Sequence, residues 1–294
     1  LSDQNSSAGE RFKQFSYGNA KHYSPFAEED ESMKVDTMRR IDYWAGVPLC
    51  FLGSLLQKIF TVFSRRQKQN CRNVLLIELS EMGSALLVDP AMKKLQKEMG
   101  VNLHFAIFKK NKPSLDLLGT VPPDNIYTIR EDKMLPFLLD TFHFIFWTRK
   151  RKIDTVIDLE LFSRFTALLT RFSGASSKVG FHAYFNEGLY RGDFLSHKVA
   201  YNPHIHIAKN FVALVNALIY PQQNMPYSKT TVTDEEIRLS KVQFSTVEKE
   251  GMMRLVRGCY DHYDSKNTKI ILINPNASEL LVQRRWPQDY YAQL

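Results

Sequence analysis

The stretch that decides the fold runs from Asn73 to Ser84, NVLLIEL followed by SEMGS. NVLLIEL is a nearly unbroken apolar run of strand length, the pattern of a strand covered on both faces. SEMGS reads as a turn, and Ala85 to Met99 then repeats its apolar residues at helical spacing until Gly100, a helix-stop signal.

The same alternation continues outward from this unit. VNLHFAIF is a second strand, and Asn125 to Ile129 is a third. Met134 to Trp147 is a helix closed by the basic run Arg149, Lys150, Arg151 and Lys152. DTVIDL is a fourth strand, Phe162 to Phe172 a helix stopped by Gly174, and KVGF a short fifth strand. Strands alternating with helices predict an α/β fold, a doubly wound parallel sheet of the Rossmann-like kind. Ala183 to Asn202 reads as irregular, His204 to Leu218 as a helix, and Thr233 to Glu236 (TDEE) as a capping box opening another helix. TKIILINP, Thr268 to Pro275, is again a buried strand, and QRRWPQDYYAQL starts a helix with Pro287 in its first turn. One strand and one helix cannot close a sheet, so the chain is expected to be a fragment that stops just inside a second domain. Leu1 in place of Met suggests that the true start is also missing.

Ahead of the first strand lie two other textures. Residues 1–37 form a polar leader with an acidic run at Glu28, Glu29, Asp30 and Glu31. Residues 38–68 contain WAGVPLCFLGSLLQKIFTVF, Trp44 to Phe63, with Arg39 and Arg40 before it and Arg65 and Arg66 after it. Its length approaches a bilayer span, but Pro48, Gly53, Gln57 and Lys58 weaken that reading. An interfacial helix making peripheral membrane contact and a domain-packing helix both remain. The expected division is therefore 1–37, 38–68, an N-terminal domain over 69–262, and the start of a second domain over 263–294.

Apolar residues make up 44% of the 294 and charged residues 24%, a globular balance that excludes a wholly disordered chain. The formal charge of +8 favours anionic partners. Cys50, Cys71 and Cys259 are dispersed and odd in number, which gives no disulfide framework and suits a reducing, cytoplasmic compartment.

Several residues could carry chemistry. In a doubly wound sheet ligands bind at the carboxyl ends of strands, which singles out the Leu79–Ser84 turn. The amides of the helix after it attract anions, although GxGxxG is absent. Asp158 and Glu160, two apart at the end of the fourth strand, face one way and could line a cleft or hold a metal. The commoner role of such a pair is to line the cleft or cap the helix that follows, so no metal is expected there. His204 and His206 form an H-x-H pair but lack further zinc ligands. The basic run at 149–152 has no interleaved aromatics, so nucleic acid is not an expected partner. In INPNASELLVQRRWP, small residues and Arg284 and Arg285 suit a phosphate, as a charged loop would also explain.

Taken in order, IELSEMGSALLVDPAMKKL, VIDLELFSRFTALLTRFSGASSKVGF and INPNASELLVQRRWP resemble glycosyltransferase family 9, the heptosyltransferase-type enzymes of lipopolysaccharide assembly. The resemblance implies a GT-B fold of two Rossmann-like domains. It also implies metal-independent, inverting transfer of a heptose or hexose from a nucleotide-diphosphate sugar to a lipid-linked or cell-surface glycan, on the cytoplasmic face of the membrane and with no cofactor. It places Glu81, Ser84 and Asp158 in catalytic roles and Gly83, Glu160, Asn274, Ser278, Arg284 and Arg285 in substrate or phosphate binding. Two positions depart from the family pattern. The usual Gly-Asp is Gly83-Ser84, which leaves Glu81, and after it Asp158 or Glu160, as the base. The usual Asn-Pro-Gly is Asn274-Pro275-Asn276. A non-catalytic relative that kept the fold and lost the base is the alternative.

Overall fold

The computed structural model describes residues 35–63, 71–182, 189–220, 231–271, 286–291 and 293. The chain divides into two compact units, one over Glu31–Val242 and one containing Gln243–Leu294.

The larger unit is built on a six-stranded, wholly parallel sheet of order β3-β2-β1-β4-β5-β6. The strands are β1 (Asn73–Ile77), β2 (Asn102–Phe108), β3 (Ile126–Ile129), β4 (Thr155–Asp158), β5 (Ser177–Phe181) and β6 (His197–Val199). The order is that of a Rossmann fold, and it reverses at β1, whose neighbours are β2 and β4. Val74 to Ile77 are fully buried, as a central strand covered on both faces requires.

Helices cover both faces. In chain order they are α1 (Val35–Trp44), α2 (Gly46–Phe63), α3 (Met82–Leu87), α4 (Asp89–Met99), α5 (Lys112–Leu118), α6 (Met134–Lys150), α7 (Arg164–Phe172) and α8 (Ile207–Ile219). One face packs Val74 and Leu76 against Ala85, Met92, Leu95, Phe211 and Leu214 from α3, α4 and α8. The other packs Leu75 and Ile77 against Phe144 of α6 and Leu169 of α7. Each of these side chains except Ala85 contributes roughly 1.5–3 kcal/mol by leaving water.

Several elements differ from the sequence expectation for identifiable reasons. Ala85 to Met99 is not one helix: Pro90 has no N–H to donate, and the chain breaks at Val88 into α3 and α4. The apolar segment starting at Trp44 is the end of α1 and then α2, separated at Ala45. β6 arises within the stretch read as irregular. Thr233 and Glu236 do exchange capping hydrogen bonds, but they open only a single 3₁₀ turn, Glu235–Ile237. A capping box that does start a helix lies in the smaller unit, where Ser245 and Glu248 open α9 (Thr246–Cys259). Thr268 to Ile271 is not a strand, and the rest of that expected strand lies outside the described residues. The helix expected from Pro287 is the short α10 (Gln288–Tyr291).

α2 belongs to the larger unit's packing. Cys50 joins Ala167 of α7 and Phe194 in a small core. Gly46 permits the approach, because a Cβ there would stand 2.8 Å from the Arg164 Cβ. Asp42 of α1 accepts from the Arg164 and Phe165 amides, both at 2.9 Å, which fixes the N-terminus of α7. Among the described residues no helix is long and apolar enough to cross a membrane.

Candidate functional site

The topological switch point falls between the carboxyl ends of β1 and β4, where ligands enter folds of this order. Two turns meet there, Leu79–Glu81 after β1 and Leu159–Ser163 after β4. Glu160 ties them together: its Oε1 accepts from the Leu79 and Ser80 amides, both at 3.1 Å, and from the Ser80 hydroxyl at 2.8 Å. The anion held by those backbone amides is thus the protein's own carboxylate.

Glu81 sits at the mouth of the crevice, exposed, just before α3. Its Oε2 accepts the Ser84 hydroxyl at 2.8 Å, so one helical turn pairs the serine with the nearest acid. Its amide reaches Glu78 Oε1 at 3.3 Å. Gly83 is exposed with open space where a side chain would stand, which lets a ligand approach the backbone.

Beneath this surface lie two buried acids. Glu78 is 4% exposed. Burial pushes its carboxyl well above the usual range, and the neighbouring Glu160 charge pushes the same way. Asp158 is 1% exposed and forms an ion pair with Arg191. Burial raises its carboxyl to about 6 against the pull of the Arg191 guanidinium. Arg191 also donates to the Thr166 hydroxyl at 2.9 Å and to the Ser163 carbonyl at 2.8 Å, and it reaches the Glu160 carbonyl. One guanidinium therefore knits β4, its turn and the start of α7 together. On the other flank, Asn111 donates to the Leu79 carbonyl at 2.8 Å.

The structure brings Glu81, Gly83, Ser84 and Glu160 together at one crevice, with Asp158 enclosed below. The oxygens of Asp158 are engaged by Arg191 and the Glu160 amide, and Glu160 Oε1 by the β1 turn, which leaves the D-x-E pair occupied by protein donors. His206 caps α8, its Nδ1 accepting from the Ala208 amide at 3.2 Å. Among the described residues no group of three or more His, Cys, Asp or Glu could hold a metal. Asn274, Ser278, Arg284 and Arg285 lie outside the described residues.

Sequence reasoning did not single out Glu78, Asn111 or Arg191. Glu78 carried a signal, being the one charged residue inside a buried-strand run. Arg191 carried none, since it lies in a segment without periodicity.

The family model of glycosyltransferase family 9 (heptosyltransferase) matches residues 148–294, which begin at the end of α6 and include β4, the Glu160 turn and Arg191. The chain belongs to glycosyltransferase family 9. Solved structures similar to this family-9 chain include the E. coli heptosyltransferase WaaC with ADP-2-deoxy-2-fluoro heptose, at 18% identity and a TM-score of 0.44 over 53% of this chain and 52% of that one. The E. coli ADP-heptose lps heptosyltransferase II is 15% identical with a TM-score of 0.48, over 63% and 50%. A glycosyl transferase family 9 protein from Veillonella parvula DSM 2008 is 14% identical with a TM-score of 0.46, over 69% and 53%. The chain spans about half the length of these structures. No curated protein matches it significantly.

Proposed function

We propose that the full-length protein is a metal-independent, inverting glycosyltransferase that moves a heptose or hexose from a nucleotide-diphosphate sugar to a lipid-linked or cell-surface glycan acceptor. Membership of a family described by heptosyl transfer favours a heptose donor. The observation that carries the reading is Glu81, an exposed carboxylate at the switch-point crevice with Ser84 hydrogen-bonded to it.

In this reading Glu81 takes the proton of the acceptor hydroxyl as its oxygen bonds to the anomeric carbon. The bond from that carbon to the donor diphosphate breaks, and the diphosphate leaves with the electron pair. Ser84 donates to Glu81 and orients it, while Gly83 leaves room for the acceptor. Glu160 fixes the β1 turn, and Asp158 supports it from below through Arg191. Arg284 and Arg285, with Asn274 and Ser278 in the same segment, hold the diphosphate from a second Rossmann-like domain of a GT-B enzyme. The protein works at the cytoplasmic face of a membrane, with residues 44–63 making peripheral contact.

The test is release of nucleoside diphosphate by the full-length protein, offered a panel of sugar nucleotides with and without an acceptor glycan. Acceptor-dependent release supports the proposal. Donor binding without transfer to any acceptor would favour the second reading, a non-catalytic binding protein, for which Ser84 at the family's aspartate position is the specific observation.

A further inference from the structure

The two helix layers differ in what their outer surfaces carry. In the layer of α2, α6 and α7, long apolar side chains remain in water. Leu135, Leu138, Phe142 and Phe146 form one stripe along α6 at i, i+3, i+7 and i+11, with Leu135 69% and Phe142 60% exposed. Phe51 and Leu55 stay exposed on α2, which packs on α7 as α6 does. Single exposed apolar residues are ordinary, but a four-residue stripe along one helix is a face that needs a cover, and Phe51 and Leu55 add exposed apolar surface on the other helix that packs on α7.

Charge says what the cover is. α2 has no acidic residue, and α6 has only Asp140, which Arg130 neutralises through hydrogen bonds at 2.7 and 2.8 Å. Asp42, beside α7, is paired with Arg164 at 3.1 Å. Cations gather where α6 and α7 end. Arg149 lies across Gly174, whose φ of 79° and missing Cβ make room for the guanidinium, and donates to the Ser173 carbonyl. Lys178 donates to the Ala175 carbonyl at 2.5 Å, with Arg171 close by. Among the described residues none of these three cations has a carboxylate partner. Burial first, and then the Arg171 and Arg149 charges, lower the Lys178 ammonium to about 8, as expected of cations gathered without an anion.

We propose that this helix layer is the membrane-docking face, with the α6 stripe seated at the headgroup–acyl boundary of a bilayer and Arg149, Arg171 and Lys178 gathered around an anionic lipid phosphate. This deepens the peripheral contact proposed above, because it moves the main anchor from residues 44–63 to α6 and supplies a headgroup site. An anionic bilayer matches both halves of the surface, since acyl chains receive the stripe and phosphates answer the cations. An acidic protein partner would match only the cations.

The experiment is flotation of the full-length protein with phosphatidylcholine vesicles, with and without about 30 mol% phosphatidylglycerol. The protein should float with the anionic vesicles and about tenfold less with phosphatidylcholine alone. Leu138→Gln/Phe142→Gln should lower the bound fraction about tenfold even with residues 44–63 intact. Arg171→Gln/Lys178→Gln should erase most of the preference for the anionic lipid while leaving the weak binding to phosphatidylcholine. Unchanged flotation of both variants would overturn the proposal. So would a concentration-dependent dimer of the wild type that Leu138→Gln/Phe142→Gln abolishes, because a second copy would then be the cover. Thermal unfolding confirms that the variants fold, and Leu135→Gln replaces the double variant if it does not. Transfer to a water-soluble acceptor fragment should be normal in these variants, which separates failure of the docking face from failure of the transferase reading.

Discussion

The Ser80 hydroxyl in the turn after β1 donates to the Glu160 carboxylate in the turn after β4, at 2.8 Å. With the Leu79 and Ser80 amides on the same oxygen, this contact closes the base of the switch-point crevice and fixes where the next residue, Glu81, stands. A turn between two elements becomes a rigid mount for a carboxylate, because the restraint comes from a strand that is distant in sequence and adjacent in the sheet.

That mount depends on the ion pair beneath it. Arg191→Met should destabilise the larger unit by about 3–5 kcal/mol, because Asp158 would stay buried without its counter-charge. Asp158→Asn should cost less, since the Arg191 cation it leaves without a counter-charge keeps the Thr166 hydroxyl and the Ser163 and Glu160 carbonyls as acceptors. Urea denaturation of the two variants ranks them, and equal small losses would show the pair to be dispensable.

Glu78 sets a pH dependence of defined sign. Its folded carboxyl is raised by burial, then by Glu160, while the unfolded one titrates normally near ~4.3. The stability it contributes is fully present below that value and is lost as pH rises through the raised folded value. Glu78→Gln keeps the shape and removes the titration, so its unfolding midpoint should fall less than that of the wild type between pH 5 and 8. Parallel profiles would refute this.

The sheet was legible in the sequence because parallel strands are buried on both faces, and NVLLIEL and DTVIDL announce themselves by continuous apolarity. What was not legible depends on partners distant in the chain. β6 is three residues long and is a strand only because β5 pairs with it. Arg191 stands at an unpatterned position and acquires its role from Asp158, far back in sequence. TDEE supplied the capping hydrogen bonds but had no helical apolar face behind it, so the turn ended after one 3₁₀ repeat. At the site, the sequence put Glu81 and Ser84 in one turn, whereas their hydrogen bond and the enclosure of Asp158 required the fold.

In the proposed function the donor side rests on Arg284 and Arg285. Arg284→Ala should lower kcat/KM of the full-length enzyme by about 2–4 kcal/mol, with part of the loss in kcat, because charge on the leaving diphosphate grows in the transition state. Arg285→Ala should cost less. Calorimetric titration with the nucleoside diphosphate checks the binding part; unchanged affinity in Arg284→Ala would make that arginine a solvated loop residue.

On the proposed function, the crevice between β1 and β4 is a catalytic site with Glu81 as its base. The most direct measurement is single-turnover sugar transfer by full-length wild type and Glu81→Gln, at saturating donor and acceptor. Glu81→Gln should lose about 10² or more in rate with donor affinity retained, and Ser84→Ala should lose less. A near-normal rate for Glu81→Gln would contradict that role.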